Sequence, residues 1–131
     1  MHVRDAVESD GGRLAELAGV PSEVMADVVH DRTVRVAEAD EDIVGFVGFD
    51  ARRNAVHVTH LHGSRAARER LLDEPVRFAA TETMPVELLV PEDEDESVAA
   101  AEATGFENAG SGPRFEGRRT TWFRLESPTP E

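Results

Sequence analysis

Residues 86–106 constrain what this chain can fold into more tightly than any other part of it. An apolar run, Val86-Glu87-Leu88-Leu89-Val90, is bracketed by Pro85 and Pro91 and leads into an acidic, alanine-rich segment ending at Gly105-Phe106. The short run reads as a buried strand, because proline bounds it on both sides and its length suits a strand better than a helix. Glu92, Asp93, Glu94, Asp95 and Glu96 then fall where the positive end of a helix dipole favours carboxylates, and Gly105 supplies the left-handed C-cap. A matching unit lies just upstream: an alternating strand over 56–61, the loop Gly63-Ser64-Arg65, and a helix carrying Leu71 and Leu72.

The remaining elements follow from the same signals. Residues 2–7 predict a short edge strand. Ser9-Asp10 offers an N-cap to a helix stopped by Gly19, and Pro21 opens a second helix carrying Val24, Met25, Val28 and Val29. Residues 33–39 and 43–49 alternate around the acidic turn at 39–42 and predict a hairpin, with 55–61 as a third meander strand. Gly45 and Gly48 predict a bulge or a close backbone approach within that hairpin. The long helical segment 64–80 contains Pro75, which removes a hydrogen bond and predicts a kink or a break near Asp73-Glu74. Residues 106–109 and 120–125 predict a final strand pair, with Trp122 and Phe123 on opposite faces, so that one is core and the other free to line a pocket. The reading is one domain over 1–126 with a frayed tail at 127–131.

Composition narrows the function classes. The chain has 131 residues, 27 Asp and Glu against 14 basic residues that are all Arg, a net charge of −13 and no Cys. Disulfides, thiolate metal sites and a cysteine nucleophile are therefore excluded. A surface this acidic repels nucleic-acid phosphates and anionic lipid, and no apolar run has the length of a membrane span. A soluble, cytoplasmic protein is expected. The absence of Lys beside so many carboxylates reads as adaptation to a cytoplasm of very high salt.

The order strand, two helices, three-strand meander, helix, strand, helix and terminal hairpin spans nearly the whole chain. Together with Val3-Arg4-Asp5-Ala6, Val44-Gly45-Phe46 and Gly105-Phe106, it resembles the GNAT superfamily of N-acyltransferases, haloarchaeal members in particular. The resemblance implies an α/β (α+β) fold with a mixed central sheet of about six or seven strands flanked by about four helices. It implies that the fourth and fifth strands splay apart, with acetyl-CoA in the gap as co-substrate. The pantetheine would pair with the fourth strand at Val56, His57 and Val58, and the pyrophosphate would sit on amides at the start of the following helix.

Matching Leu71-Leu72 to the paired leucines of that helix places the family's phosphate loop on Gly63, Ser64, Arg65, Ala66, Ala67 and Arg68. The family has Arg or Gln first and small residues at the fourth and sixth places. Here Gly63 and Ala66 are small, whereas Arg68 holds the sixth place, and Arg68 or Arg65 can grip a phosphate directly. The family's Asn near the start of the fourth helix and its general-acid Tyr fall on Glu94 and Ala101, and the chain contains no Tyr.

The implied reaction is direct attack of a small-molecule or protein amine on the thioester. Strand amides near Val58 would steady the oxyanion, and His60 or His57 would act as base, with Glu38 and Glu87 as poorer choices. Strict alternation puts His60 and His62 on one strand face and His57, Thr59 and Leu61 on the other. Two imidazoles at that spacing can share a metal ion, but no carboxylate accompanies them on the strand, so no metal is expected. The alternative to an acyltransferase is a catalytically silent GNAT-like module that binds a ligand or a partner. Homodimerisation is compatible with either reading.

Overall fold

The computed structural model describes residues 1–115 and 117–126, so the predicted tail at 127–131 lies outside the described residues. The elements are β1 (His2–Asp5), a short 3₁₀ turn (Glu8–Asp10), α1 (Gly11–Ala18), α2 (Ser22–Asp31), β2 (Thr33–Ala39), β3 (Asp42–Arg52), β4 (Ala55–Gly63), α3 (Arg65–Glu82), β5 (Val86–Pro91), α4 (Asp95–Thr104), β6 (Glu107–Ser111) and β7 (Thr120–Leu125). They form one seven-stranded sheet in the order β1-β2-β3-β4-β5-β7-β6. Every pairing is antiparallel except β4 with β5, which α3 connects as a crossover. This is the mixed sheet with four α-helices that the sequence predicts. No helix among the described residues is long and apolar enough to cross a membrane.

Two cores sandwich the sheet. On one face α1 and α2 bury Leu14 and Met25 against Val34, Val36, Ile43 and Phe46. On the other, α3 and α4 bury Leu71, Leu72, Ala79, Ala100 and Ala101 against Val47, Phe49, Val56, Val58, Leu61, Val86 and Leu88. Gly45 lets α3 come this close: a Cβ there would lie 2.7 Å from the His62 carbonyl oxygen and 2.9 Å from Ala67 Cβ. Gly105 caps α4 at φ +101°, as its place before Phe106 requires.

The predicted break at Pro75 does not occur, because α3 runs unbroken from Arg65 to Glu82. Pro75 lies on the buried stripe with Leu71, Leu72 and Ala79. Packing of that stripe against the sheet holds the helix together through the position whose N–H is missing.

The glycines of β3 mark irregular pairing, as predicted. Gly48 faces His60, but the next residue, Phe49, faces Val58, which leaves Thr59 as an extra residue in β4. Residues directly opposed across antiparallel strands share a face. His62, His60 and His57 oppose Phe46, Gly48 and Asp50, so all three imidazoles project from the α1/α2 face. The alternation expected from sequence is corrected for His57: the bulge restarts the period of two and turns His57 to the side of His60 and His62, while Leu61 lies opposite them as expected, in the other core with Val58.

Candidate active site

The parallel pairing of β4 and β5 stops early. Val56, His57 and Val58 register with Val86, Glu87 and Leu88, and no further pairs follow although both strands continue. Beyond Val58 the strands part, leaving one edge of β4 without a ladder partner. A cavity of about 610 Å³ occupies the opening, bordered by residues 57–62 of β4, 88–91 of β5, Glu94, Ser97, Trp122 and the α1–α2 connection. The side chains of Val56 and Val58 belong to the α3 core, and the Val56 amide donates to the Pro85 carbonyl at 2.9 Å. Of the strand residues predicted to hold a cofactor, Val56 is thus engaged in the closed part of the sheet. The open edge begins after Val58.

His60 and His62 stack against Phe46, with ring centroids 6.2 and 5.1 Å away. Burial pushes the His60 imidazolium down to about 4, helped by the neighbouring His62 and Arg32 charges. His62 is also lowered, chiefly by burial and then by Arg68. Both rings are therefore neutral at pH 7.

The hydrogen bonds of Thr59 assign the His60 tautomer. Thr59 Oγ1 lies 3.2 Å from the Gly48 carbonyl oxygen and 3.0 Å from His60 Nδ1. A hydroxyl has one proton, and a carbonyl can only accept it. The Nδ1 contact must then be an N–H donated to Thr59, which leaves Nε2 with its lone pair free. His60 is a neutral, oriented base on the cavity wall. His57 differs: its Nε2 lies 3.6 Å from Glu87 Oε1, and Glu87 is itself held by Arg124 at 3.0 Å.

The start of α3 forms the other end of the site. Gly63, at φ +125°, makes the turn, and a Cβ there would lie 2.5 Å from the Val44 carbonyl oxygen. Ser64 is the N-cap, its Oγ accepting from the Ala67 amide at 3.2 Å. Ala67 is fully buried, whereas Ser64, Arg65 and Ala66 are exposed. Arg65 reaches back along its helix to Glu69 at 3.1 Å. Arg68 points inward, donating to the Gly63 carbonyl at 2.7 Å, to Glu94 at 3.3 Å and to the Ser97 hydroxyl. Arg68 therefore ties the first turn of α3 to the start of α4. This link lies beside a second cavity of about 420 Å³, which shares His62 and Glu94 with the first.

Several of these residues were not legible as site residues beforehand. Thr59 reaches both the Gly48 carbonyl and His60 Nδ1 only because the bulge isolates it. Ser97 lies one helical turn beyond Glu94 and is buried, a relation visible only once the helix start is located. Arg118 reaches Asp93 at 2.6 Å and Glu94 at 3.3 Å. Ala101, at the position of the family's Tyr, is fully buried in the core, and no hydroxyl stands there. Phe123 is core and Trp122 borders the cavity, resolving the predicted alternation. Among the described residues, no group of three or more His, Asp or Glu side chains is placed to hold a metal ion.

No protein-family model and no curated protein matches the sequence. Solved structures match throughout. The ribosomal-protein-alanine N-acetyltransferase of Brucella melitensis superposes with a TM-score of 0.78 at 17% identity, covering 96% of this chain and 99% of that one. A Salmonella typhimurium protein described as an acetyltransferase, solved with its cofactor acetyl-CoA, superposes at 0.80 with 14% identity over 100% and 96% of the two chains. The aminoglycoside 6'-N-acetyltransferase of Enterococcus faecium superposes at 0.79 with 14% identity over the whole of both chains.

Proposed function

We infer that this chain, which has the GNAT N-acyltransferase fold, is an acyl-CoA-dependent N-acyltransferase acting on a primary amine. The observation that carries this reading is the parting of β4 and β5 after Val58 around a cavity with a neutral His60 on its wall. The residues fit an elongated thioester ligand. Thr59 to His62 offer an unladdered strand edge, and Gly63 and Ser64 turn that edge into the α3 N-terminus, where the amides of Arg65 and Ala66 precede the first helical hydrogen bonds. When bound, acetyl-CoA supplies the acyl group as an activated thioester.

His60 Nε2 accepts the proton that the amine loses on attack, and Thr59 keeps that nitrogen unprotonated beforehand. Backbone amides of the open β4 edge steady developing negative charge on the acyl oxygen. A thiolate is a good leaving group, and water protonates it where the family uses Tyr. Calorimetric titration with acetyl-CoA and CoA in molar KCl tests the reading, high salt being the medium we propose for so acidic a chain. Failure to bind at millimolar ligand overturns it.

Thr59→Val keeps the shape of the side chain and removes the hydroxyl. The His60 ring is then free to take either tautomer, and kcat falls about three- to tenfold with KM for acetyl-CoA unchanged. Nitrogen-15 NMR of the imidazoles reads the tautomer directly and separates this effect from a loss of packing.

A silent ligand-binding module is favoured by one observation, the Arg68 link to Glu94 and Ser97 between the starts of α3 and α4. A carboxylate beside the phosphate end of the proposed site opposes an anion. Glu94→Gln accordingly tightens CoA binding about three- to tenfold by calorimetry, an effect that shrinks in molar KCl. Tighter binding without any acetyl transfer to amines would favour the silent module.

A further inference from the structure

The cavity wall has a chemistry unlike the rest of the molecule. The chain carries 27 acidic residues, yet among the described residues Glu94 is the one carboxylate bordering the larger cavity. That carboxylate is already held by Arg68 and Arg118, each at 3.3 Å. Arg52, also on the wall, is engaged by Asp50 at 3.0 Å. A polycation entering the cavity would find no free negative partner among the described residues of its wall.

Apolar side chains are concentrated where carboxylates are missing. Among the described residues, the large exposed hydrophobics are Met1, Val7, Val20, Val24, Phe78 and Phe115, and three of these, Val20, Val24 and Phe115, border this one cavity. They are held in place. Val20 is fixed by the turn closing α1, where its amide donates to the Ala15 carbonyl at 3.1 Å. Phe115 exchanges two backbone hydrogen bonds with Arg118, at 3.0 and 2.9 Å, and Arg118 is anchored on Asp93. A phenylalanine 55% exposed yet pinned by a bridge and an ion pair is a surface built to meet something apolar. Leu89 and Trp122, paired across β5 and β7, form a floor on the sheet face that also carries the three histidines.

We propose that the acceptor is a primary amine carried on an apolar, uncharged body, with Val24, Phe115 and Trp122 contacting that body while the amine faces His60. The proposal rests on the acyltransferase reading and names its acceptor class. Polyamines, aminoglycosides and other polycations are poor acceptors, because recognising them takes unpaired carboxylates, and the described residues of this wall offer none.

The chain has a single tryptophan, Trp122, so its fluorescence reports on the cavity directly. Titration with 2-phenylethylamine gives a saturable change in Trp122 emission, and spermidine or kanamycin at the same concentration and ionic strength gives none. Phe115→Ala and Val24→Ser, both at exposed positions, weaken phenylethylamine binding about five- to tenfold. In turnover with saturating acetyl-CoA they raise the KM for this amine by a similar factor with little change in kcat. Equal or tighter binding of spermidine, or no effect of either substitution, overturns the proposal. The fluorescence arm needs no acyl transfer. Binding of the apolar amine by a protein that ignores acetyl-CoA would remove the enzyme reading while upholding the apolar cavity, whereas acetyl-CoA turnover with a polycation preferred would do the reverse.

Discussion

Replacing His60 with Gln lowers kcat/KM for acetyl transfer by about 10²- to 10⁴-fold, the usual contribution of a positioned general base. Acetyl-CoA affinity, measured by calorimetry, stays within about twofold, because in the function proposed above the thioester meets β4 through backbone groups. His57→Gln serves as the control. His57 shares the sheet face but sits beside Glu87, where β4 and β5 still pair, and its loss costs little. Equal losses in the two variants would remove the special role given to His60.

The same substitution carries a pH signature in stability. The folded ring is held at about 4 against an ordinary 6.5. As pH falls below 6.5 the unfolded chain takes up a proton that the folded chain refuses, so His60 lowers stability progressively until about pH 4. The ring is only part-buried, which limits the effect to roughly 1–2 kcal/mol. In His60→Gln that part of the decline between pH 6.5 and 4 disappears, and denaturant midpoints across the range measure it. The contribution of His62, of the same sign, remains.

Phe46→Ala produces the largest loss of stability, about 3–5 kcal/mol and a thermal midpoint lower by roughly 10–20 °C. Phe46 is fully buried at the centre of the α1/α2 core. Its ring also shields His60 and His62 from water. The substitution therefore has a second consequence: the His60 titration moves up from about 4 toward 6.5 as water reaches the ring. Proton NMR of the imidazoles follows that shift, and Phe46→Leu, which refills most of the volume, restores much of the stability. A loss below about 1 kcal/mol for Phe46→Ala would mean that the α1/α2 face is not packed as described.

The scaffold was legible in the sequence because its signals are local. Gly105 must follow a helix, the run at 86–90 between two prolines suits a buried strand, and the spacing of Leu14, Met25 and Leu71-Leu72 sets helical faces. The site was legible only in outline. Gly45 and Gly48 announced irregular pairing, yet nothing local states that Thr59 is the extra residue. Likewise, the loop at 63–68 could be located, but the partners of Arg68 lie on α4, about thirty residues further along.

What the sequence determined by itself is the order of elements, the acidic surface and the absence of Tyr and Cys, all properties of short windows or of composition. The tertiary structure decided which way the histidines face, where β4 leaves β5, and which charges on the cavity wall are already engaged. The physical reason is that a strand's alternation is a relation between neighbours, and one bulged residue inverts it for everything beyond. Only pairing with β3 reveals that inversion.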